Sequence, residues 1–241
     1  MLLSTRVRRR NRHRRCTRCC RAPFRDCVGA IENEKENSRD HGSLEGPLFT
    51  SQVIEKERDK MMLFDFTSAQ NVDDWREMSD TVRTVGKSKA VLTLQTSQLF
   101  QRAVFFTLLN PQANGAGFAG VRTPTNLDLS RFKDIEITCR GQGQNSNYKI
   151  SLRHKGQDSN ADLSYEQFFT VLMSNDEFST VTLPLKDFKP YYRGHEMPDG
   201  EPLDTTNITM FEFQIYGGVY MPIKQRGVSA LEIETVAAVF T

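Results

Sequence analysis

Cysteine is nearly absent from most of this chain. Five occur in 241 residues, and four of them (Cys16, Cys19, Cys20, Cys27) crowd into the first 30, leaving Cys139 alone in the remainder. A disulfide framework spreads its cysteines through the fold it staples, so none is expected, and a reducing compartment suits the body. Cys16-x-x-Cys19 has no second pair at metal-ligand spacing and reads as incidental to its basic surroundings. Histidine is scarce as well. His13 and His41 precede the body, while His154 and His195 are not paired at ligand spacing and neighbour no nucleophile motif. No run approaches the ~18–20 apolar residues of a membrane-spanning helix.

Acid is missing from the opening, where Asp26 is the first. Residues 1–30 carry ten Arg and net +9, residues 31–60 net −3, and the rest −4, which together make the chain's +2. The mildly acidic body has no general attraction for nucleic acid. In the leader, MLLSTRVRRRNRHRRCTRCCRAPF, the apolar core of a secretory signal is lacking. Arginine without acid is the composition of a mitochondrial presequence, although RVRRRNRHRR also fits a nuclear or nucleic-acid patch. A start at Met61 or Met62 is a third reading. The expected organisation is a basic, disordered targeting leader over 1–30, a charged linker over 31–61 and one domain over 62–241.

What is present in the body is strand. The runs 63–66, 90–97, 103–109, 134–140, 147–154, 166–172, 179–185, 208–217 and 229–240 are rich in β-branched and aromatic residues, and several alternate at period two. Ile135, Ile137 and Cys139 share one face, as do Phe211, Phe213 and Ile215, with Glu212, Gln214 and Tyr216 opposite. Only 71–78 and 185–188 read as short helices. Many strands and almost no helix predict an all-β sandwich or jelly roll and exclude a parallel βαβ sheet.

That pattern disposes of a tempting motif. GAGFAG (115–120) matches the dinucleotide fingerprint G-x-G-x-x-G, but its last glycine must open a helix whose N-terminus meets the pyrophosphate. VRTPTNLDLSRFK follows instead, so the glycines are expected to serve tight turning and close backbone approach. GVSAL (227–231) lacks the final glycine of a nucleophile elbow. Asp73, Asp74 and Asp128 read as caps. Neither a catalytic set, a metal site nor a cofactor site is predicted. The long connection 186–204 carries Tyr191, Tyr192 and Arg193, a combination suited to gripping a partner or stacking on a sugar, and these three are the candidate binding residues.

Taken in order, LFDFTSAQNVDDWREMSDTV, GFAGVRT, DLSRFKDIEITCRGQGQ, the NYK around Tyr148, FSTVTLPLKDFKPYYRG and KQRGVSALEIETV resemble the complex I intermediate-associated protein family. The likeness spans roughly residues 62–240, and the order of the motifs carries it, since each alone is weak. Two departures stand out: Arg83-Thr84-Val85-Gly86-Lys87-Ser88 replaces a Gly-Gly turn before Ser, and Phe178 stands where Trp is usual. The resemblance implies a jelly-roll sandwich akin to galactose- and carbohydrate-binding modules. It also implies a non-enzymatic assembly factor, or chaperone, in the mitochondrial matrix. Its partners would be protein subunits and assembly factors of NADH:ubiquinone oxidoreductase, with peripheral contact at the inner membrane left open. An assembly role requires an exposed apolar or aromatic patch. The alternative, a carbohydrate-binding module, requires Tyr191 and Tyr192 on a sheet face or in a loop cleft.

Overall fold

In the computed structural model, which describes residues 60–159, 161–173 and 177–240, the alternating runs pair into two antiparallel sheets. The proposed leader and linker lie outside the described residues, except for the last two linker positions. The first sheet orders β3 (Lys89–Thr96), β4 (Gln101–Leu109), β13 (Gly227–Val239), β6 (Asp134–Gly143) and β9 (Ser179–Pro184), with β1 (Lys60–Asp65) also against β13. The second orders β11 (His195–Glu196), β10 (Lys189–Tyr192), β8 (Ser164–Thr170), β7 (Asn147–His154), β12 (Ile208–Tyr216), β5 (Phe118–Leu127) and β2 (Arg76–Ser79). Two faces of alternating apolar residues can escape water only by packing on one another, and the result is a jelly-roll β-sandwich.

The period-two reading holds in the core. Ile135, Ile137 and Cys139 face inward from β6, and Phe211, Phe213 and Ile215 from β12, all at most 1% exposed. Phe213 is the hinge of an aromatic cluster: Trp75 stacks on it at 5.5 Å, Phe211 meets it edge-on at 5.3 Å, and Phe105 reaches it at 6.4 Å from the other sheet.

The helix expected over 71–78 is not there. Asn71 Oδ1 accepts the Asp73 N–H, Trp75 N–H donates to the Val72 carbonyl, and the chain then enters β2 against β5. One turn suffices to pack the partly buried Trp75 against the core, and that contact outweighs a weak local preference for helix. The run at 185–188 is a short 3-10 turn, Leu185–Asp187. Among the described residues there is no α-helix, so none is long and apolar enough to cross a membrane.

The glycines of GAGFAG serve geometry. Gly115 has φ +88°, a left-handed conformation that side chains resist. Gly117 lies where a Cβ would stand 2.8 Å from Pro111 Cα, and one on Gly120 would stand 2.7 Å from the Phe213 carbonyl oxygen. The variant turn after SDTV is explained by the same corner. A Cβ on Gly86 would collide with the Asp80 carbonyl, while the Asp80 carboxylate accepts the backbone N–H and hydroxyl of Ser88 and the Phe118 N–H. Asp80 therefore ties the 83–88 turn to the start of β5.

Candidate functional site

The outward row of the second sheet is not a flat exposed face. It floors a cleft of about 1180 Å³, walled by the β10–β11 hairpin and the 217–221 loop. On β7 the row is Lys149, Ser151 and Arg153; on β12 it is Glu212, Gln214 and Tyr216; on β8 it is Ser164, Glu166 and Phe168. Registers set them side by side. Glu212 lies between Ser151 of β7 and Arg122 of β5, and Ser151 faces Glu166 of β8 in turn. Despite pointing outward, Lys149, Arg153, Glu166, Glu212 and Gln214 are each under 8% exposed.

Burial at that depth requires partners. Lys149 Nζ reaches Glu166 Oε2 at 2.5 Å, and Ser164 Oγ donates to Glu166 Oε1 at 3.0 Å. Arg153 Nη1 donates to the Ser159 carbonyl at 2.8 Å, which anchors the following loop. Glu212 accepts a hydrogen bond from Gln214 Nε2 at 2.6 Å and forms no ion pair among the described residues. Gly120 makes room for it, since a Cβ there would stand 3.0 Å from Glu212 Oε1. Burial pushes the Glu212 carboxyl above the usual range, with Lys149 and Arg153 opposing the shift.

The pH consequence has a definite sign. A carboxyl whose pKa is higher folded than unfolded stabilises the fold while protonated, below about its ordinary 4.5, and loses that contribution as pH rises through the raised value. Glu212→Gln removes the titration, so the variant should gain on the wild type as pH climbs from 4 to 8. Melting curves across that range give the comparison, and a pH-independent difference would count against it.

Aromatic rings form one wall. Tyr191, Phe168 and Tyr216 follow one another, with ring centres 5.7 and 5.1 Å apart and nearly perpendicular planes. Burial pushes the Tyr191 and Tyr216 hydroxyls up to about 12. At the rim, His195 stacks on Tyr220 at 3.9 Å, closing the hairpin against the 217–221 loop.

Of the three candidate binding residues, Tyr191 and Arg193 line the cleft. Tyr192 is not among its lining residues; its ring lies 5.1 Å beneath the Arg193 guanidinium at the hairpin tip, where Arg193 has φ +51°. The floor residues were not singled out from sequence, because charged residues alternating with apolar ones ordinarily signify a wet strand face. The available signal was the pairing of opposite charges on neighbouring runs, K-x-S-x-R at 149–153 against E-x-Q at 212–214.

Other chemistry-bearing residues are occupied structurally. Ser229 sits in β13 with its hydroxyl 2.8 Å from Thr107 Oγ1. Buried His154 accepts the Asp204 N–H at Nδ1, and its Nε2 lies 3.2 Å from the Tyr165 hydroxyl. Asp128 caps Ser130. Burial pushes the Cys139 thiol up to about 12, which leaves it unreactive. Among the described residues no three His, Cys, Asp or Glu gather as metal ligands.

The opposite outer face, on the first sheet, has a different character. Val91 of β3 pairs with Phe106 of β4, and Leu108 of β4 with Val228 of β13. All four lie between 45% and 59% exposed, so they form a contiguous apolar strip rather than scattered surface residues. Beside the strip, Glu232 holds two guanidinium groups, with Arg102 Nη1 at 2.6 Å and Arg140 Nη2 at 2.8 Å. Phe178 lies 5.2 Å from one and 4.9 Å from the other.

Solved structures of the same fold include the family 11 carbohydrate-binding module from Clostridium thermocellum in complex with a beta-1,3-1,4-mixed-linked tetrasaccharide. That match covers 76% of this chain and 96% of the module at 15% identity, with a TM-score of 0.57. A second structure of that family, from the cellulosomal cellulase Lic26A-Cel5E of Clostridium thermocellum, gives 0.54 at 15% identity, covering 76% of this chain and 95% of that one. At such identity the likeness concerns the fold alone. In sequence, the uncharacterized protein C9E9.15 of Schizosaccharomyces pombe is 28% identical over 166 residues, 64% of this chain and 74% of that protein. The model of Complex I intermediate-associated protein 30 (CIA30) matches residues 64–233, from β1 through the middle of β13. The chain belongs to the CIA30 family.

Proposed function

We propose that this protein is a non-enzymatic assembly factor for mitochondrial NADH:ubiquinone oxidoreductase, working in the matrix by holding unassembled subunits. The observation that carries the reading is the apolar strip Val91, Phe106, Leu108 and Val228 in a chain of the CIA30 family. An assembly factor must cover apolar surface that its client will later bury elsewhere. Exposed cross-strand apolar pairs on a rigid sheet offer such cover without refolding. Arg102, Arg140 and Phe178 at the strip's border add the residue types enriched at protein interfaces. The structural employment of Ser229 and His154 supports the non-enzymatic part.

The test is recovery of partners from mitochondria expressing a tagged full-length chain. Wild type should retain subunits of the oxidoreductase, and Phe106→Glu with Leu108→Glu should lower that yield roughly tenfold, about 1.4 kcal/mol. Both side chains are half exposed, so the melting temperature should move by only a few degrees. Undiminished recovery by the double variant would remove the strip as the contact. Absence of those subunits from the wild-type sample, or exclusion of the chain from mitochondria, would remove the assembly reading itself.

A further inference from the structure

The cleft on the second sheet is unexplained by an assembly role, and its chemistry is specific. Its floor is built on β8, β7, β12 and β5, each hydrogen-bonded to neighbours on both sides. An extended peptide would find no unpaired backbone edge along that floor. Cationic and anionic side chains are equal in number around the cleft, five of each. An anion brought to the floor would meet Glu166 and Glu212, and a cation would meet Arg122 and Arg153. The balance favours a ligand that carries no charge yet both donates and accepts hydrogen bonds.

The floor is also held in place before any ligand arrives. The Lys149–Glu166 pair, the Gln214–Glu212 hydrogen bond and the anchoring of Arg153 fix polar groups whose freedom would otherwise be lost on binding. Glu212 keeps unused acceptor capacity, since a carboxylate offers about four lone-pair sites. Along one side of this floor run the rings of Tyr191, Phe168 and Tyr216, whose apolar bodies suit the C–H faces of a pyranose. The volume, about 1180 Å³, exceeds the roughly 300–1,000 Å³ of a typical small-molecule site, which suits a chain of rings better than one ring.

We propose that this cleft binds a neutral oligosaccharide, its rings lying along the Tyr191–Phe168–Tyr216 wall and its hydroxyls hydrogen-bonded to Glu212, Gln214 and Arg122. The site is on the sheet opposite the apolar strip, so it stands or falls separately from the assembly reading.

The experiment is titration of the full-length chain, followed by calorimetry and amide NMR. The probes are cellotetraose, laminaritetraose, maltotetraose and chitotetraose, with tetragalacturonate and an uncharged extended octapeptide as controls. At least one neutral tetrasaccharide should bind with a Kd of roughly 10 μM to 1 mM and shift amides of β5, β7 and β12. Glu212→Gln keeps the side chain's shape and should weaken binding at least tenfold, as should Phe168→Ala. Phe106→Glu with Leu108→Glu, on the other sheet, should leave affinity unchanged. The proposal is overturned if no neutral tetrasaccharide shifts those amides at about 10 mM. It is equally overturned if only the galacturonate or the peptide binds, or if Glu212→Gln and Phe168→Ala, both folded by circular dichroism, bind as wild type does.

Discussion

Glu232→Ala is expected to destabilise the sandwich by about 3–5 kcal/mol, the range for removing one partner from a buried ionic network. Its carboxylate is 7% exposed and holds Arg102 at 2.6 Å and Arg140 at 2.8 Å; Gln142 donates to it as well. Without Glu232, two guanidinium groups, 11% and 13% exposed, would share a dry patch of sheet without the carboxylate set between them. For a domain of this size the loss corresponds to a fall in melting temperature of roughly 6–20 °C. Replacing the network as a whole should cost much less. Arg102→Met, Glu232→Leu and Arg140→Met together remove both cations along with the anion, and apolar substitutes of similar volume are often neutral in such sites. Thermal unfolding of the single and triple variants is the measurement. A single variant as stable as wild type, or a triple variant worse than the single, would contradict the account.

Phe213→Ala should cost a comparable amount, about 3–5 kcal/mol, by a different route. Phe213 is 1% exposed, and its ring joins Trp75 and Phe211 to Phe105 of the opposite sheet. Two β-sheets cannot close over a missing ring without bending strands that are hydrogen-bonded on both sides, so a cavity remains. Phe213→Leu fills much of the space and should cost less than about 1.5 kcal/mol. The midpoint of urea unfolding, with an unchanged slope, separates this loss from a change in the unfolded chain. Equal stability of the two variants would show that the site collapses freely.

Phe213 and Glu212 are adjacent in one strand, and together they show how far the sequence could be read. The alternation of Phe211, Phe213 and Ile215 with Glu212, Gln214 and Tyr216 assigned each residue to the correct face of β12. It did not reveal that the polar face is walled into a cleft, because the walls are built by the β10–β11 hairpin and the 217–221 loop, which meet where His195 stacks on Tyr220. Positions 195 and 220 carry no shared pattern that could announce their contact. Tyr191 and Arg193 were recognisable as site candidates because a long loop with aromatics and Arg is unusual in itself. Tyr192 belongs to the same short sequence but lies off the cleft, since neighbours on a strand point to opposite sides.

The helix expected over 71–78 illustrates the same limit from the other side. Its local signals were real, and Asn71 does accept the Asp73 N–H, but the turn it starts ends at once so that Trp75 can reach Phe213. Only the assembled core supplies that incentive.

From its sequence alone this chain is an all-β sandwich of the CIA30 family, with GAGFAG leading into a strand rather than the helix of a dinucleotide loop. Period-two burial, turn chemistry and the order of motifs are local or additive properties, and they survive being read one segment at a time. The tertiary structure alone decided that Asp80 joins the 83–88 turn to β5, and that Glu232 is shared by Arg102 and Arg140. It alone gave the sandwich an apolar strip on one outer face and a charge-balanced cleft on the other. Those features depend on which strands become neighbours, and strand order is set by the packing of the whole core rather than by any single run of residues.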